Sequence, residues 1–89
     1  MFTVEHQPDQ QRFVVNQVNG TSIEDNPAVL EYVFLTEQSL DFTRTYVPFR
    51  QRGKGLAEAL VESGLKWAKQ HDYQMQASCW YVDKFLKAE

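Results

Sequence analysis

The sequence contains a single cysteine, Cys79, and this scarcity excludes several classes of protein. One thiol cannot form a disulfide within the chain, and it cannot supply the cysteine ligands of a structural zinc site. We therefore predict no metal site, and a reducing, cytoplasmic setting fits best. The sequence also lacks an apolar run near the roughly 20 residues that a membrane-spanning helix needs, so we predict no membrane partner.

Residues 1–6 have neither the basic start nor the apolar stretch of a signal peptide. The 89 residues leave room for one small domain, and we predict a single domain over residues 1–89. The formal net charge of -3 does not favour general nucleic-acid binding. These features leave a small folded domain whose partners are neither nucleic acids nor membranes.

Basic residues are scarce in the first half of the sequence and clustered in the second. Up to Asp41 the only basic residue is Arg12, against seven acidic residues. Within residues 42–57 all the charged residues are basic, and none is acidic. They are Arg44, Arg50, Arg52 and Lys54. A local basic cluster in an acidic chain indicates a small anionic ligand more than a long polyanion, although a solvated basic loop would have the same composition.

The first half of the sequence predicts antiparallel strands. Residues 2–6 form a possible first strand, and residues 12–18 are β-branched and partly alternating. Asn19-Gly20, a dipeptide typical of hairpin turns, follows the second strand. The apolar run of residues 28–35 predicts a third strand buried on both faces, although its periodicity does not exclude a helix. Residues 40–47 alternate and predict a fourth strand.

The hydrophobic period changes after Pro48. Apolar residues spaced by three and four over residues 55–70 predict an amphipathic helix. Residues 73–79 predict a fifth strand, and residues 81–87 predict a short closing helix. A strand–helix–strand unit usually joins parallel strands. We therefore predict an α+β fold with a mixed, mostly antiparallel sheet and a strand–loop–helix–strand–helix C-terminal half.

The loop before the long helix carries most of the chemical information, and its sequence is Arg50-Gln51-Arg52-Gly53-Lys54-Gly55-Leu56-Ala57. Glycines let a ligand approach the backbone closely, and the free N–H groups at a helix start attract anions. The basic side chains add positive charge, so the loop suits a pyrophosphate. Its spacing is not that of a P-loop or a dinucleotide fingerprint. A glycine turn with incidental charges is the alternative interpretation.

Residues 50–55 match the acetyltransferase signature Arg/Gln-x-x-Gly-x-Gly/Ala. Thr45-Tyr46-Val47-Pro48 precedes the signature, residues 56–60 (LAEAL) follow it, and residues 79–85 (CWYVDKF) match further on. This combination resembles a small single-domain subfamily of the GCN5-related N-acetyltransferase (GNAT) superfamily, most strongly over residues 41–87. The resemblance implies a GNAT-like fold in which the fourth and fifth strands splay apart, with acetyl-coenzyme A bound in the cleft between them.

The resemblance also implies which residues hold coenzyme A. The pyrophosphate is expected on the backbone N–H groups of residues 52–57, and the pantetheine arm is expected along the strand edge at Tyr46 and Val47. Lys84 would reach a phosphate, with a solvated helix face as the alternative. The predicted cofactor-binding residues are thus Tyr46, Val47, Arg50, Arg52, Gly53, Lys54, Gly55, Leu56, Ala57 and Lys84.

Two residues are candidates for catalysis. Cys79 could attack the thioester as a nucleophile, activated by the helix that starts after it; a small buried residue at a strand end is the alternative. Tyr81 could protonate the departing thiolate, and a tyrosine that only packs is the alternative. Direct attack by the acceptor amine is the usual route of the superfamily and remains the default. Trp80 either covers a ligand or packs against the sheet.

The sequence departs from the pattern of its relatives at two positions. Relatives often have histidine where Arg44 stands, and arginine cannot serve as a base. Phe85 stands nearest to the acid tyrosine of larger relatives and cannot donate a proton. Asp41 and Glu31 remain as candidate bases, although an exposed strand position explains each. His6 and His71 are isolated in the sequence and are expected at the surface.

The expected function is an acetyl-CoA-dependent N-acetyltransferase acting on an amine of unknown acceptor. Without the N-terminal helices of larger relatives, the cleft is expected to be open, which suits a bulky acceptor such as a protein lysine or terminus. The alternative is a non-catalytic coenzyme A or acyl-CoA-binding module, which Arg44 and Phe85 favour. A protein-interaction domain that has lost the ligand is a third interpretation, against which Gly53 and Gly55 argue. The sequence leaves the direct and covalent routes and the oligomeric state open.

Overall fold

The structure is a computed structural model that describes residues 3–15, 17–18, 21–22 and 27–87. One five-stranded sheet has the strand order β1-β2-β5-β6-β7, and β3 pairs with β4 in a separate two-stranded sheet. The strands are β1 (Glu5–Gln7), β2 (Arg12–Val15), β3 (Gln17–Val18), β4 (Thr21–Ser22), β5 (Ala28–Thr36), β6 (Ser39–Tyr46) and β7 (Gln74–Ala77). The helices are α1 (Leu56–Gln70) and α2 (Trp80–Lys87).

The sheet is mixed, as the sequence predicts. Strands β1, β2, β5 and β6 pair antiparallel in succession, and β7 lies parallel to β6. Because α1 connects these two parallel neighbours, the predicted strand–helix–strand unit is present. With α2 after β7, the C-terminal half has the predicted strand–loop–helix–strand–helix order, and the α+β prediction is confirmed.

The N-terminal strands are shorter and more divided than the sequence indicates. The stretch predicted as one strand over residues 12–18 ends in the main sheet at Val15, and β3 pairs with β4 instead. Val18 lies opposite Thr21, so β3 and β4 flank the predicted Asn19-Gly20 turn on both sides. The dipeptide itself lies outside the described residues.

Strand β5 is buried on both faces only in its first half. Ala28, Val29 and Leu30 are at most 4% exposed, whereas Val33, Phe34 and Leu35 are 39%, 40% and 50% exposed. The second half of β5 continues to pair with β6 up to Thr36 opposite Ser39, but its apolar side chains at residues 33–35 remain partly exposed. The prediction of a strand buried along its whole length is therefore wrong for residues 33–35.

Helix α1 covers one face of the sheet with the apolar stripe that its sequence predicts. Leu56, Leu60, Val61, Leu65 and Ala68 are buried in one core cluster with Leu30 and Phe42 of the sheet. Gly64 allows the closest approach, because a Cβ atom there would lie 2.7 Å from Leu30 Cδ2. No helix in the described part of the chain is long and apolar enough to span a membrane.

Candidate functional site

The end of β6 and the start of α2 form an opening in the sheet. The last register pair between β6 and β7 is Phe42 opposite Ala77, and the backbone N–H of Cys79 donates to the carbonyl of Phe42 at 3.1 Å. Strand β6 continues to Tyr46, whereas the chain after β7 turns away into α2. Beyond Phe42, strand β6 therefore continues without a register pair on β7, at the place where the resemblance predicts that the two strands splay apart.

A cleft with a volume of about 530 Å³ lies beside this opening. The end of β6, the loop that follows it, the first turn of α1 and the first turn of α2 contribute to its walls. The lining residues are Val47, Gln51, Arg52, Gly53, Gly55, Leu56, Ala57, Glu58, Trp80 and Tyr81. Five of the predicted cofactor-binding loop residues thus share one cleft with the predicted catalytic Tyr81.

The loop backbone brings its two glycines to the cleft in a conformation that other residues adopt only with strain. Pro48 is followed by a 3-10 turn over Phe49–Gln51. Gly53 and Gly55 then have φ angles of +82° and +78°, in the left-handed region where a Cβ atom costs roughly 1–2 kcal/mol. A Cβ atom at either glycine would meet nothing within 4 Å. The glycines are therefore required by the backbone conformation, and the space beside them is open.

Helix α1 begins at this loop without a side-chain cap. Gly55 is its N-cap, and the first intrahelical hydrogen bond runs from the Ala59 N–H to the Gly55 carbonyl at 3.1 Å. The N–H groups of the preceding residues in the first turn have no intrahelical acceptor, and they lie at the positive end of the helix dipole. This arrangement can bind an anionic group such as a pyrophosphate.

The basic residues of the loop differ in where their side chains lie. The Arg52 Nε donates to the carbonyl of Val47 at 3.0 Å, and its guanidinium lies 5.9 Å from the Phe49 ring centroid. Lys54 is exposed and is not among the residues that line the cleft. The side chain of Arg50 lies outside the described part of the structure. Of the two cations whose side chains are described, Arg52 lines the cleft and Lys54 does not.

Cys79 lies at the point where the strands part, half-buried between β6 and α2. Its Sγ lies 3.6 Å from the Thr45 hydroxyl oxygen, to which the thiol donates a hydrogen bond and from which the thiolate can accept one. Burial raises the pKa of the thiol, but hydrogen bonds from the Val82 N–H, the Thr45 hydroxyl and the Tyr81 N–H outweigh this effect, so the pKa is lowered overall. The thiolate is thus stabilised by the start of α2, as the sequence predicts. Cys79 itself does not line the described cleft.

Tyr81 lines the cleft with a neutral phenol. Burial raises the pKa of the hydroxyl, and the nearby carboxylate of Glu58 raises it further. A raised pKa keeps the proton on the phenol, as a proton donor requires. The Lys84 ammonium lies 4.7 Å from the Tyr81 ring centroid and 5.5 Å from that of Trp80, outside the residues that line the cleft.

Tyr46 and Val47 are neighbours at the end of β6, but they differ in their position relative to the cleft. Val47 lines the cleft, whereas Tyr46 does not. The Arg44 guanidinium lies 5.1 Å from the Tyr46 ring centroid and pairs with Glu31 at 3.4 Å. Both members of this ion pair are solvent-accessible, so it contributes at most about 1 kcal/mol to stability. The two side chains at the predicted base positions thus engage each other.

Two surface placements predicted from the sequence, those of Asp41 and His6, are wrong, and Trp80 follows the first of its two alternatives. Asp41 is only 7% exposed, because its carboxylate accepts hydrogen bonds from Ser78. His6 is half-buried rather than on the surface, because its ring stacks on Phe13 at 4.1 Å between centroids. Trp80 is 75% exposed and lines the cleft instead of packing against the sheet. His71 is exposed, as predicted.

Sequence reasoning missed two residues that line the cleft, Gln51 and Glu58. Gln51 occupies a variable position of the loop signature, and the 3-10 turn after Pro48 brings it to the cleft. Glu58 lies three residues after Gly55, and helical spacing from the N-cap was the signal that could have placed it there. Among the described residues, no group of three or more histidine, cysteine, aspartate or glutamate side chains could hold a metal ion.

The sequence matches the family model described as GCN5-related N-acetyl-transferase over residues 12–89. Similar curated proteins include Protein NATD1 of Bos taurus, 33% identical over 94% of this chain and 71% of that protein. Protein NATD1 of Homo sapiens is 32% identical, again over 94% of this chain and 71% of that protein.

A solved structure resembles the fold closely. It is a GCN5-like protein from Staphylococcus aureus, determined by NMR in solution, and it aligns with a TM-score of 0.69. The alignment covers 97% of this chain and 78% of that chain at 16% sequence identity. At this identity the likeness concerns the fold alone.

Proposed function

This chain belongs to the GCN5-related N-acetyltransferase family, and on that premise we propose that it binds acetyl-coenzyme A in the cleft and transfers the acetyl group to an amine. The observation that carries the proposal is the loop at the cleft. There, two left-handed glycines and an uncapped helix start lie beside the opening between β6 and α2. An anion-binding backbone at the mouth of a V-shaped opening fits a ligand with a pyrophosphate and a long arm.

The residues of the cleft fit the parts of coenzyme A. The first turn of α1 offers backbone N–H groups to the pyrophosphate, and Arg52 adds a positive charge at the same wall. The end of β6 has no register pair with β7 beyond Phe42 and offers its backbone edge at Tyr46 and Val47 to the pantetheine arm. Bound acetyl-coenzyme A supplies an activated thioester, so the protein has to provide orientation and proton transfer.

In the proposed reaction the acceptor amine attacks the thioester carbonyl carbon directly. The C–N bond forms, the C–S bond breaks, and coenzyme A leaves as a thiol. The ammonium group of the acceptor loses two protons in all, of which one goes to the departing sulfur and the other to water. The Val47 N–H is the proposed donor to the carbonyl oxygen, and the neutral Tyr81 phenol is the proposed donor to the sulfur.

A route through Cys79 is a second candidate, favoured by the lowered pKa of the thiol. In that route the thiolate of Cys79 attacks the carbonyl carbon, coenzyme A leaves as a thiol after taking up a proton, and the acetyl group stays on Sγ. The acceptor amine then attacks the acetyl-cysteine and restores the thiol. The two routes differ in whether an acetylated protein forms before any acceptor is added.

The acceptor in this proposal is bulky, such as a lysine or the terminus of a protein, because the cleft is open to solvent. The alternative is a module that binds coenzyme A or acyl-CoA without turnover. Two observations favour this alternative, since the Asp41 carboxylate is held by Ser78 and Glu31 is paired with Arg44. Neither carboxylate is among the residues that line the cleft. Since a free thiol suits a reducing compartment, we propose a cytoplasmic location.

An acetyl-transfer assay tests the function. The protein is incubated with acetyl-coenzyme A and an amine panel of lysine-containing peptides and free amines, and acetylated products are quantified by mass spectrometry. Transfer above the chemical background that is lost in Tyr81→Phe supports the enzyme. Binding of coenzyme A without transfer to any amine supports the binding module. Intact mass after incubation without an acceptor separates the two routes, because only the covalent one adds an acetyl group that Cys79→Ala abolishes.

A further inference from the structure

The cleft contains one buried acceptor atom that nothing in the described structure satisfies. The side-chain oxygen of Gln51 is buried and has no hydrogen-bond partner among the residues described. The glutamine nevertheless lines the cleft. Buried polar atoms in folded proteins nearly always have partners, and an exception needs an explanation. At the wall of a ligand cleft, the simplest explanation is that the partner arrives with the ligand.

The Gln51 side chain is able to turn toward such a partner at low cost. The last torsion of a glutamine side chain is broad, unlike the staggered torsions that precede it. Because the oxygen has no hydrogen bond in the free protein, its rotation into the cleft breaks no hydrogen bond of that atom. The backbone of Gln51 is fixed meanwhile by the hydrogen bond from its N–H to the Pro48 carbonyl at 2.8 Å. A fixed backbone and a side-chain oxygen without a hydrogen bond suit a residue that recognises a ligand.

The neighbouring contacts indicate which part of the ligand forms a hydrogen bond with Gln51. An added chain at the end of β6 would place an amide N–H on a strand carbonyl, as in strand addition. The carbonyl of Val47 already accepts a hydrogen bond from the Arg52 Nε at 3.0 Å. Gln51 lines the same cleft as Val47 and presents an acceptor that is not in use. Coenzyme A carries N–H donors at its adenine amine and at the two amides of the pantetheine arm, and the arm is the part that we propose to lie along the end of β6 near Val47.

We propose that the Gln51 side-chain oxygen accepts a hydrogen bond from an amide N–H of the pantetheine arm, beside the Val47 carbonyl, which already accepts a hydrogen bond from Arg52. This inference rests on the proposed binding of coenzyme A and adds a residue that reads the arm of the ligand rather than its phosphates. Gln51 is then the part of the loop that distinguishes coenzyme A from a nucleotide with the same phosphates.

The test compares two ligands on three proteins: wild type, Gln51→Leu and the longer, unbranched Gln51→Met. Coenzyme A and 3′-phosphoadenosine 5′-diphosphate, which keeps all the phosphates of coenzyme A and lacks the pantetheine arm, are titrated and followed by backbone amide shifts in NMR. Loss of a buried hydrogen bond predicts that both variants bind coenzyme A about tenfold more weakly. Their affinity for the ligand without the arm should equal that of wild type. Their melting temperatures should match or exceed that of wild type, because the unsatisfied acceptor is gone.

Gln70→Leu is the matched control, since it makes the same chemical change at an exposed position at the end of α1. It should bind both ligands like wild type. Equal binding of coenzyme A by wild type and both Gln51 variants would overturn the inference and leave the proposed function standing. An equal loss of affinity for both ligands would also overturn it, because the contact would then not be to the arm. Absence of coenzyme A binding by wild type would remove the proposed function itself.

Discussion

The carboxylate of Asp41 accepts two hydrogen bonds from Ser78, one from the backbone N–H at 2.7 Å and one from the hydroxyl at 2.6 Å. Asp41 lies on β6 opposite Gln76, one residue before the last register pair of the two parallel strands. Ser78 belongs to the turn that leads from β7 into α2. The contact therefore fixes the turn at the point where the strands part, and with it the positions of Cys79 and Tyr81.

Replacement of Asp41 by alanine is expected to destabilise this turn. The change leaves the Ser78 hydroxyl and N–H without their acceptor and removes a charged hydrogen-bonding group, which predicts a loss of about 2–3 kcal/mol in the free energy of unfolding. Urea denaturation measures it. Asp41→Asn keeps an acceptor for the N–H and should cost less than Asp41→Ala. Equal stabilities of wild type and Asp41→Ala would show that the contact does not hold the turn.

Replacement of Gly55 by alanine is expected to impair ligand binding in addition to stability. The left-handed φ of +78° predicts a loss of roughly 1–2 kcal/mol in unfolding free energy, although a Cβ atom there would meet no neighbour within 4 Å. If the loop relaxes out of this conformation, its N–H groups no longer point together at an anion. The expected result is a weaker affinity for coenzyme A, measured by titration calorimetry.

Gly64→Ala is the control for this prediction, because it also adds one methyl group to a glycine. Its Cβ atom would lie 2.7 Å from Leu30 Cδ2 and 3.1 Å from Phe42 Cε1, in the core beneath α1. Overpacking there predicts a loss of about 1–3 kcal/mol in unfolding free energy with an unchanged affinity of the folded protein for coenzyme A. The same loss of affinity in both variants would mean that the Gly55 effect is one of general stability.

The reactivity of Cys79 is expected to depend on Thr45. Removal of the hydroxyl in Thr45→Val takes away one of the hydrogen bonds that lower the pKa of the thiol, so the pKa should rise. The pH profile of alkylation by iodoacetamide measures this pKa, since only the thiolate reacts. The midpoint for wild type should lie below that of free cysteine and should move upward in Thr45→Val. Identical midpoints in the two proteins would contradict the account of the thiol.

The protein is expected to lose stability in mild acid through His6. Burial lowers the pKa of His6 below its ordinary value of 6.5, and the nearby His71 lowers it further. The unfolded chain therefore binds a proton at His6 before the folded chain does, so the free energy of unfolding should fall as the pH drops below about 6.5. Urea denaturation between about pH 7.5 and pH 5, the range in which histidine titrates, measures the slope.

His6→Phe is the matched variant for that experiment, because it keeps an aromatic ring stacked on Phe13 and removes the titration. Its unfolding free energy should decrease less than that of wild type over the same pH interval. Parallel pH dependences of the two proteins would assign the acid sensitivity to other groups.

The C-terminal half of the fold could be predicted because each of its elements is locally determined. The three- and four-residue spacing of apolar positions specifies α1 without reference to the rest of the chain, and Gly53 and Gly55 mark the loop before it. The short strands before β5 were less predictable. Strand β2 belongs to the five-stranded sheet and β3 to the two-stranded sheet. No local pattern in residues 12–18 predicts this switch from one sheet to the other.

The site could be located from the sequence but not resolved residue by residue. The signature places the loop at the cleft, yet Lys54 and Lys84 lie outside the lining while Gln51 and Glu58 belong to it. Charge alone does not say which way a side chain points. The burial of Asp41 could not be predicted, because its partner Ser78 lies 37 residues away in the chain and sequence spacing does not reveal such a contact.

The central claim is that the loop before α1 binds coenzyme A, and a titration of isotope-labelled protein followed by backbone amide shifts in NMR tests it most directly. The account predicts saturable shifts centred on Val47 and on residues 52–57, with residues of β1 unaffected as an internal control. Absence of shifts at millimolar coenzyme A and acetyl-coenzyme A, or shifts that avoid this loop, would contradict it and leave the family fold without its expected ligand.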